Sequence, residues 1–189
     1  MINDEEAKAK IFNNHFSSVF TVDNGTPTQN FTTSNVTIEN VSFEMTDVFE
    51  LLKNLGSKKF VGPDGFSPFL LKKLALELTF PLHLIFKKSL ELGKIPVIWK
   101  TAHVVPIFKK VEKTQAKNYR PKSLTCRPCR ILEKIIHKNI SSFLSINNLI
   151  TPAQHGFRPN KSTETQLLSS LNSWTQSLDQ KNSNVDVSI

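Results

Sequence analysis

Any chemistry in this chain would start from cations. Lys109, Lys110 and Arg120 flank a polar stretch between two β-favouring segments. If those segments cross back on each other, the cations come to one surface and can grip a phosphate group. A charged hairpin tip that keeps an edge strand soluble is the other reading of the same residues. Carboxylates offer less. Phosphoryl transfer with two metal ions needs acidic groups that hold the ions roughly 3.5–4 Å apart, and the sequence has no Asp-Asp pair. Asp4-Glu5-Glu6 suits the exposed start of a helix, and Asp186 stands alone. Cys126-Arg127-Pro128-Cys129 has the spacing of a redox or half-zinc motif. Without a second pair or an obvious His at ligand spacing, zinc fits poorly. A thioredoxin-like role would need a preceding βαβ unit, which the upstream segments do not supply. Two small, partly buried thiols at a helix start is the simpler reading. No Ser/His/Asp or Cys/His arrangement can be assembled.

The 189 residues allow one domain with an extension. A hydrophobic share of 39%, with 14 Phe, exceeds that of a disordered chain and can furnish a core. No stretch approaches the ~18–20 uncharged apolar residues of a membrane span, so no membrane partner is expected. The N-terminus is acidic where a leader peptide would be basic. Two Cys exclude a disulfide-rich scaffold and suit a reducing compartment, nuclear or cytoplasmic. The net charge is +8 but unevenly spread. Residues 1–56 hold three Lys/Arg against eight Asp/Glu, and residues 57–189 hold 21 against eight. Such a concentration of positive charge attracts polyanions, with nucleic acid the first candidate and a solvated surface the bland one.

The elements that would position the cations follow from periodicity. Residues 3–20 read as a helix with a stripe of Ile11, Phe12, His15, Phe16, Val19 and Phe20. Residues 21–42 are rich in Thr, Asn and Ser and read as a flexible connector. Thr46 is placed to cap a short helix, and Gly56 to close it. The Gly62-Pro63-Asp64-Gly65 segment reads as a loop. Ser67-Pro68 starts a helix to about Leu78, Pro81 opens the next, and Gly93 closes that one. Residues 101–108 and 119–125 read as strands of a long hairpin with a basic tip, Pro106 implying an edge or bulge. Residues 129–145 form the clearest helix, with Ile131, Leu132, Ile135, Ile136, Ile140, Phe143 and Leu144 on one face. After a loop at 154–161, Thr163 and Gln166 have capping-box spacing at the head of a last helix. Its expected buried stripe is Leu167, Leu168, Leu171, Trp174 and Leu178. Residues 185–189 alternate like the start of a strand. The expected class is α+β, mostly helical with one antiparallel hairpin.

The order of segments then becomes distinctive. It runs Gly62-Pro63-Asp64-Gly65-Phe66, Leu92-Gly93-Lys94-Ile95-Pro96, Val105-Pro106-Ile107-Phe108-Lys109-Lys110, Asn118-Tyr119-Arg120-Pro121-Lys122-Ser123-Leu124, Ile131-Leu132-Glu133-Lys134, and Gln154-His155-Gly156-Phe157-Arg158 with Ser162-Thr163. Together they resemble the opening blocks of reverse transcriptases of non-LTR (LINE-type) retrotransposons. Residues 10–20 also resemble the helix that commonly precedes that domain.

The resemblance implies an upstream helix at 1–20, a connector at 21–45, and at 46–189 an incomplete reverse transcriptase domain. That domain would be the fingers of a right-hand polymerase, with the palm largely missing. Its parent function would be RNA-directed DNA synthesis with an RNA template, a DNA primer, deoxynucleoside triphosphates and Mg²⁺. The metal-binding aspartates would follow residue 189, so the resemblance assigns no catalytic or metal residue and no cofactor to this chain. Lys109 or Lys110, with Arg120, would touch the nucleotide triphosphate. Gln154, His155, Gly156, Phe157, Arg158, Ser162 and Thr163 would meet the template, with Gly156 allowing close approach of the backbone, and Lys58 and Lys59 could add a contact. Lys122 and Arg127 stand where the family usually has apolar residues. Each is expected to turn a charge toward the core, as in a truncated or decaying copy that could have lost its partners. The rival reading is a non-enzymatic nucleic-acid-binding module derived from such an element. A thiol redox protein ranks last.

Overall fold

A computed structural model describes residues 4–21, 36–56 and 60–179. The chain divides into two compact units, residues 1–140 and 141–189. In the first, α1 (Glu5–Ser18), α2 (Met45–Lys53), α3 (Pro68–Lys73) and α4 (Ala75–Leu92) precede an antiparallel pair, β1 (Ala102–Phe108) and β2 (Tyr119–Thr125). Next comes α5 (Arg127–Ile146), which begins in this unit, and α6 (Thr163–Asp179) belongs to the second. The α+β class, mostly helical around one hairpin, is as the sequence implies. Lys58, Lys59, Asp186, the strand expected at 185–189 and most of the connector (22–35) lie outside the described residues.

The core of the first unit joins α2, α3, α4 and the start of α5. Val48 and Leu52 from α2, Leu71, Leu82 and Phe86 from α3 and α4, and Ile131, Leu132 and Ile135 from α5 are all buried. Phe86 has no exposed surface and meets the Trp99 ring edge-on at 5.8 Å. Burying side chains of this size is worth about 1.5–3 kcal/mol each, which makes this cluster the main support of the unit.

Local signals differ from the sequence reading in three places. Glu44, not Thr46, caps α2: its backbone N–H donates to the Asp47 carboxylate at 3.0 Å. Lys138 adds an ion pair to Asp47 at 3.0 Å. The Glu44 N–H, and then Lys138, hold that carboxyl below its ordinary range. At the other end the cap is Asn54, not Gly56. The break between the next two helices falls at Leu74, and Pro81 sits inside α4 instead of opening it. Pro81 has no N–H to give the Glu77 carbonyl, and both residues lie on the exposed side of the helix. Gly93 closes α4 in the left-handed conformation at φ 60°, as expected.

Irregular segments are anchored by side chains. Asn139 accepts from the Ser42 N–H at 3.2 Å and donates to its carbonyl at 3.0 Å, fixing the stretch after residue 36 to α5. In the Gly-Pro-Asp-Gly loop, the Gly65 N–H closes a turn onto the Gly62 carbonyl at 3.1 Å.

Arg127 is buried as anticipated, but it is not unpaired. Its Nε and a terminal nitrogen both donate to the Phe60 carbonyl, at 3.2 and 2.7 Å. Burial, and then the nearby Arg130, lower its pKa from the ordinary value. Lys122 is exposed, so it places no charge in the core.

Among the glycines described, Gly62 makes the tightest backbone approach. A Cβ at this position would lie 2.8 Å from the Cys126 Cα and 2.9 Å from the Thr125 carbonyl oxygen. Both are backbone atoms that cannot swing aside. Gly62→Ala is therefore expected to destabilise the first unit by about 1–3 kcal/mol. Urea unfolding followed by tryptophan fluorescence measures it, and an unchanged midpoint would show that the loop and the start of α5 are not pressed together.

Candidate nucleic-acid interface

The hairpin register places the cations. Ile107 opposes Arg120, Val105 opposes Lys122, and Pro106 opposes Pro121. The Lys109 N–H donates to the Asn118 carbonyl at 2.9 Å, which extends the pairing by one position. Side chains alternate along a strand, and directly opposed residues share a face. Lys109, Ile107 and Val105 therefore lie on one face with Arg120 and Lys122. All three cations are exposed, and among the described residues none has a hydrogen-bond or ion-pair partner for its side chain. Lys110 is also exposed but falls in the turn beyond the ladder, beside Val111, whose φ of 74° bends the chain away from strand geometry. Lys109 and Arg120 are thus brought together as expected. Lys110 is not tied to them, and Lys122 is the member that the sequence reading had assigned to the core.

The opposite face is covered near the tip. Phe108 packs edge-on against Tyr119 at 5.4 Å, and Tyr119 against Phe12 of α1 at 4.7 Å. The Tyr119 hydroxyl donates to the Lys113 carbonyl at 3.0 Å, holding the turn. The aromatic side binds α1, and the cationic side faces solvent.

In the second unit, the expected template residues cluster around the head of α6. His155 is buried, and its Nδ1 shares a 2.8 Å hydrogen bond with the Thr165 hydroxyl. The Ser162 N–H donates to the Thr165 Oγ1 at 2.9 Å, and the Thr165 N–H to the Ser162 Oγ at 3.3 Å. The reciprocal cap is therefore Ser162 with Thr165, and not Thr163 with Gln166. A hollow of about 330 Å³ is lined by His155, Gly156, Phe157, Ser162 and Thr163, together with Lys161 and Gln166. The last two were not singled out as site residues from sequence, although Lys161 directly precedes Ser162 and Gln166 lies one turn into α6. Gln154 and Arg158 instead bond to loop carbonyls, of Gly156 at 3.4 Å and Thr151 at 3.3 Å. Phe157 and Asn160 take left-handed backbone, at φ 60° and 59°, and the Phe157 ring is fully exposed. Gly156 has open space where a Cβ would sit.

The expected buried stripe of α6 is a correction. Leu167, Leu168, Leu171, Trp174 and Leu178 are all exposed, Leu168 by 66%, and no residue of α6 is buried. Helical spacing produced the stripe, but nothing among the described residues covers it.

The remaining chemistry is quiet. Cys126 and Cys129 are free and buried. Burial, and then the Glu133 carboxylate, push the Cys129 thiol up to about 11. Burial also raises Cys126. Neither is a ready thiolate near neutral pH, which counts against the redox reading. Among the described residues, no three His, Cys, Asp or Glu side chains converge where they could hold a metal ion, so these residues do not fit a magnesium site.

Comparison with known proteins agrees with the motif order. No protein-family model matches the chain. It is 25% identical over 176 residues to a probable RNA-directed DNA polymerase from transposon BS of Drosophila melanogaster, covering 88% of this chain and 19% of that protein. It is 30% identical over 124 residues to the RNA-directed DNA polymerase from mobile element jockey of the same fly, covering 65% of this chain and 14% of the relative. The jockey polymerase of Drosophila funebris is 29% identical over 138 residues, covering 72% and 15%. The resemblance to non-LTR retrotransposon polymerases therefore holds, and the chain is reverse-transcriptase-like. It spans less than a fifth of the length of these curated relatives.

Burial, and then the charges of Lys161 and Arg158, keep His155 below its ordinary value near 6.5. The unfolded chain therefore takes up the proton first as pH falls. The stabilisation from neutral His155 is present above about pH 6.5 and is lost as pH drops through the lower folded value. The His155 ring is expected to titrate below 6.5 by NMR, with exchange of the Thr165 amide, corrected for intrinsic rate, accelerating over the same range. In His155→Gln that acceleration should disappear. A midpoint at or above 6.5 would contradict the buried environment.

Proposed function

We propose that this chain supplies the fingers part of an RNA-directed DNA polymerase from a non-LTR retrotransposon. Lys109 and Arg120, helped by Lys110 from the turn, meet the triphosphate of the incoming nucleotide. Gln154, His155, Gly156, Phe157, Arg158, Ser162 and Thr163 meet the RNA template. The observation that carries this reading is the pair Lys109 and Arg120, exposed and unpaired on one hairpin face in a reverse-transcriptase-like sequence. Unpaired cations on a fixed strand offset phosphate charge with little reorganisation.

The polymerases of this family work with divalent metal and carry it on carboxylates. The described residues do not form such a site, and the contribution proposed for them is binding and positioning. The exposed apolar face of α6 supports a working form in which further protein packs against it, and speaks against a self-contained binding module.

With Mg²⁺, an RNA template and an annealed DNA primer, the 189-residue chain is expected to extend nothing. It is still expected to bind a deoxynucleoside triphosphate. Arg120→Gln and Lys109→Gln should each weaken that binding roughly tenfold, about 1.4 kcal/mol. Metal-dependent incorporation by the pure chain would overturn the assignment to binding alone, and unchanged nucleotide affinity in both variants would overturn the residue roles.

A further inference from the structure

Lys122 has no place in the nucleotide contact just described, yet it shares its surface. It lies two residues from Arg120 on β2, so their Cα atoms are about 7 Å apart along the strand. Lys109 stands across from Asn118, two residues before Arg120 on the same face. The three cations therefore mark a line along the hairpin face. Beside that line, β1 presents Val105, 38% exposed, opposite Lys122, and Ile107 opposite Arg120. On this face β2 carries Arg120 and Lys122, while the β1 side carries Val105 and Ile107 with Lys109 just past the strand end. The other side of the hairpin is occupied near its tip by Phe12 of α1, while Arg120, Lys122 and Val105 on this side are exposed.

A nucleotide triphosphate is compact and its charge sits at one point. Two cations spaced along one strand, with a third across the hairpin, suit a charge that is spread as well. The stride between Arg120 and Lys122 is comparable to the separation of successive phosphates on an extended polynucleotide, and an apolar strip beside a basic one matches its two edges. The geometry points to Lys122 as a backbone contact for single-stranded nucleic acid. It would lengthen the hairpin face from a nucleotide-phosphate site into a strand-binding strip. This inference rests on the reading of Arg120 and Lys109 as phosphate-binding groups.

The test uses the full 189-residue chain and a short fluorescein-labelled oligouridylate, with affinity measured by anisotropy across a salt series. Each phosphate contact on a single strand contributes about 0.7 to the slope of log K against log salt. Lys122→Gln and Lys122→Thr should each lower that slope by about 0.7 while leaving deoxynucleoside triphosphate affinity within about twofold. Lys134→Gln, which removes the same charge from an exposed position on α5, should alter the slope far less. Far-ultraviolet circular dichroism and the thermal midpoint check that every variant is folded. A slope unchanged in both Lys122 variants, with Arg120→Gln still losing nucleotide, would overturn this inference and leave the proposed function standing. An equal change in Lys134→Gln would overturn it in favour of diffuse charge. If Lys122→Gln weakens nucleotide as much as oligouridylate, Lys122 is one more triphosphate ligand and not a strand contact. If Arg120→Gln alters neither ligand, the reading beneath both falls.

Discussion

The first unit depends on a seam where four pieces of backbone meet. Gly62 presses on Cys126, Arg127 reaches back to the Phe60 carbonyl, and the Cys126 thiol donates to the Ile98 carbonyl at 3.4 Å. This one-residue junction between β2 and α5 ties the hairpin root to the helical core. Arg130 continues the tie outward, donating to the Thr125 hydroxyl at 3.0 Å and the Ser123 carbonyl at 3.1 Å. A buried guanidinium is costly to desolvate, and the cost is offset only where its donors are met. Here the two donors share one carbonyl, and that carbonyl belongs to the loop that must be held. The cations of the hairpin therefore stand on a rooted base, not on a free arm.

That seam changes the meaning of two odd residues. Arg127 and Lys122 look in sequence like charges forced into a core, as in a decaying copy of a mobile element. In the fold, Arg127 is bonded where it is buried, and Lys122 is exposed where it is unbonded. Lys122 adds no buried charge, and the cost of burying Arg127 is partly offset by its two hydrogen bonds. The argument for decay from these two positions therefore loses most of its weight.

The hairpin and α5 were legible in sequence because their signals are local and repeated. The first strand follows from a β-branched and aromatic run, the second as its return after a polar turn, and α5 from seven apolar residues at helical spacing. The structure starts α5 at Arg127, two residues earlier than that spacing suggested. The caps were less legible, because capping depends on which of several nearby polar groups turns inward. Glu44 with Asp47, and Ser162 with Thr165, win over Thr46 and over Thr163 with Gln166. Pro81 misled because its position on the solvent side of α4 is a tertiary fact. Lys122 was misread for the same reason: strand alternation was available, but which face of the hairpin is covered is decided by Phe12, more than a hundred residues away.

The two sets of candidate residues differ in how they are held. Lys109 and Arg120 sit on or beside a paired strand whose opposite face is fixed by stacked aromatic rings. His155, Ser162 and Thr165 are held by hydrogen bonds at the head of α6, a helix that buries none of its own side chains. A ring buried by contact with a loop and one hydroxyl is more easily released than a strand locked in a ladder. The hairpin face is thus suited to meeting charge at a set position, and the loop before α6 to adjusting around what it meets. Under the proposed roles, a nucleotide met in one geometry and a strand of changing sequence met in many, that division of stiffness follows from which element carries which residues.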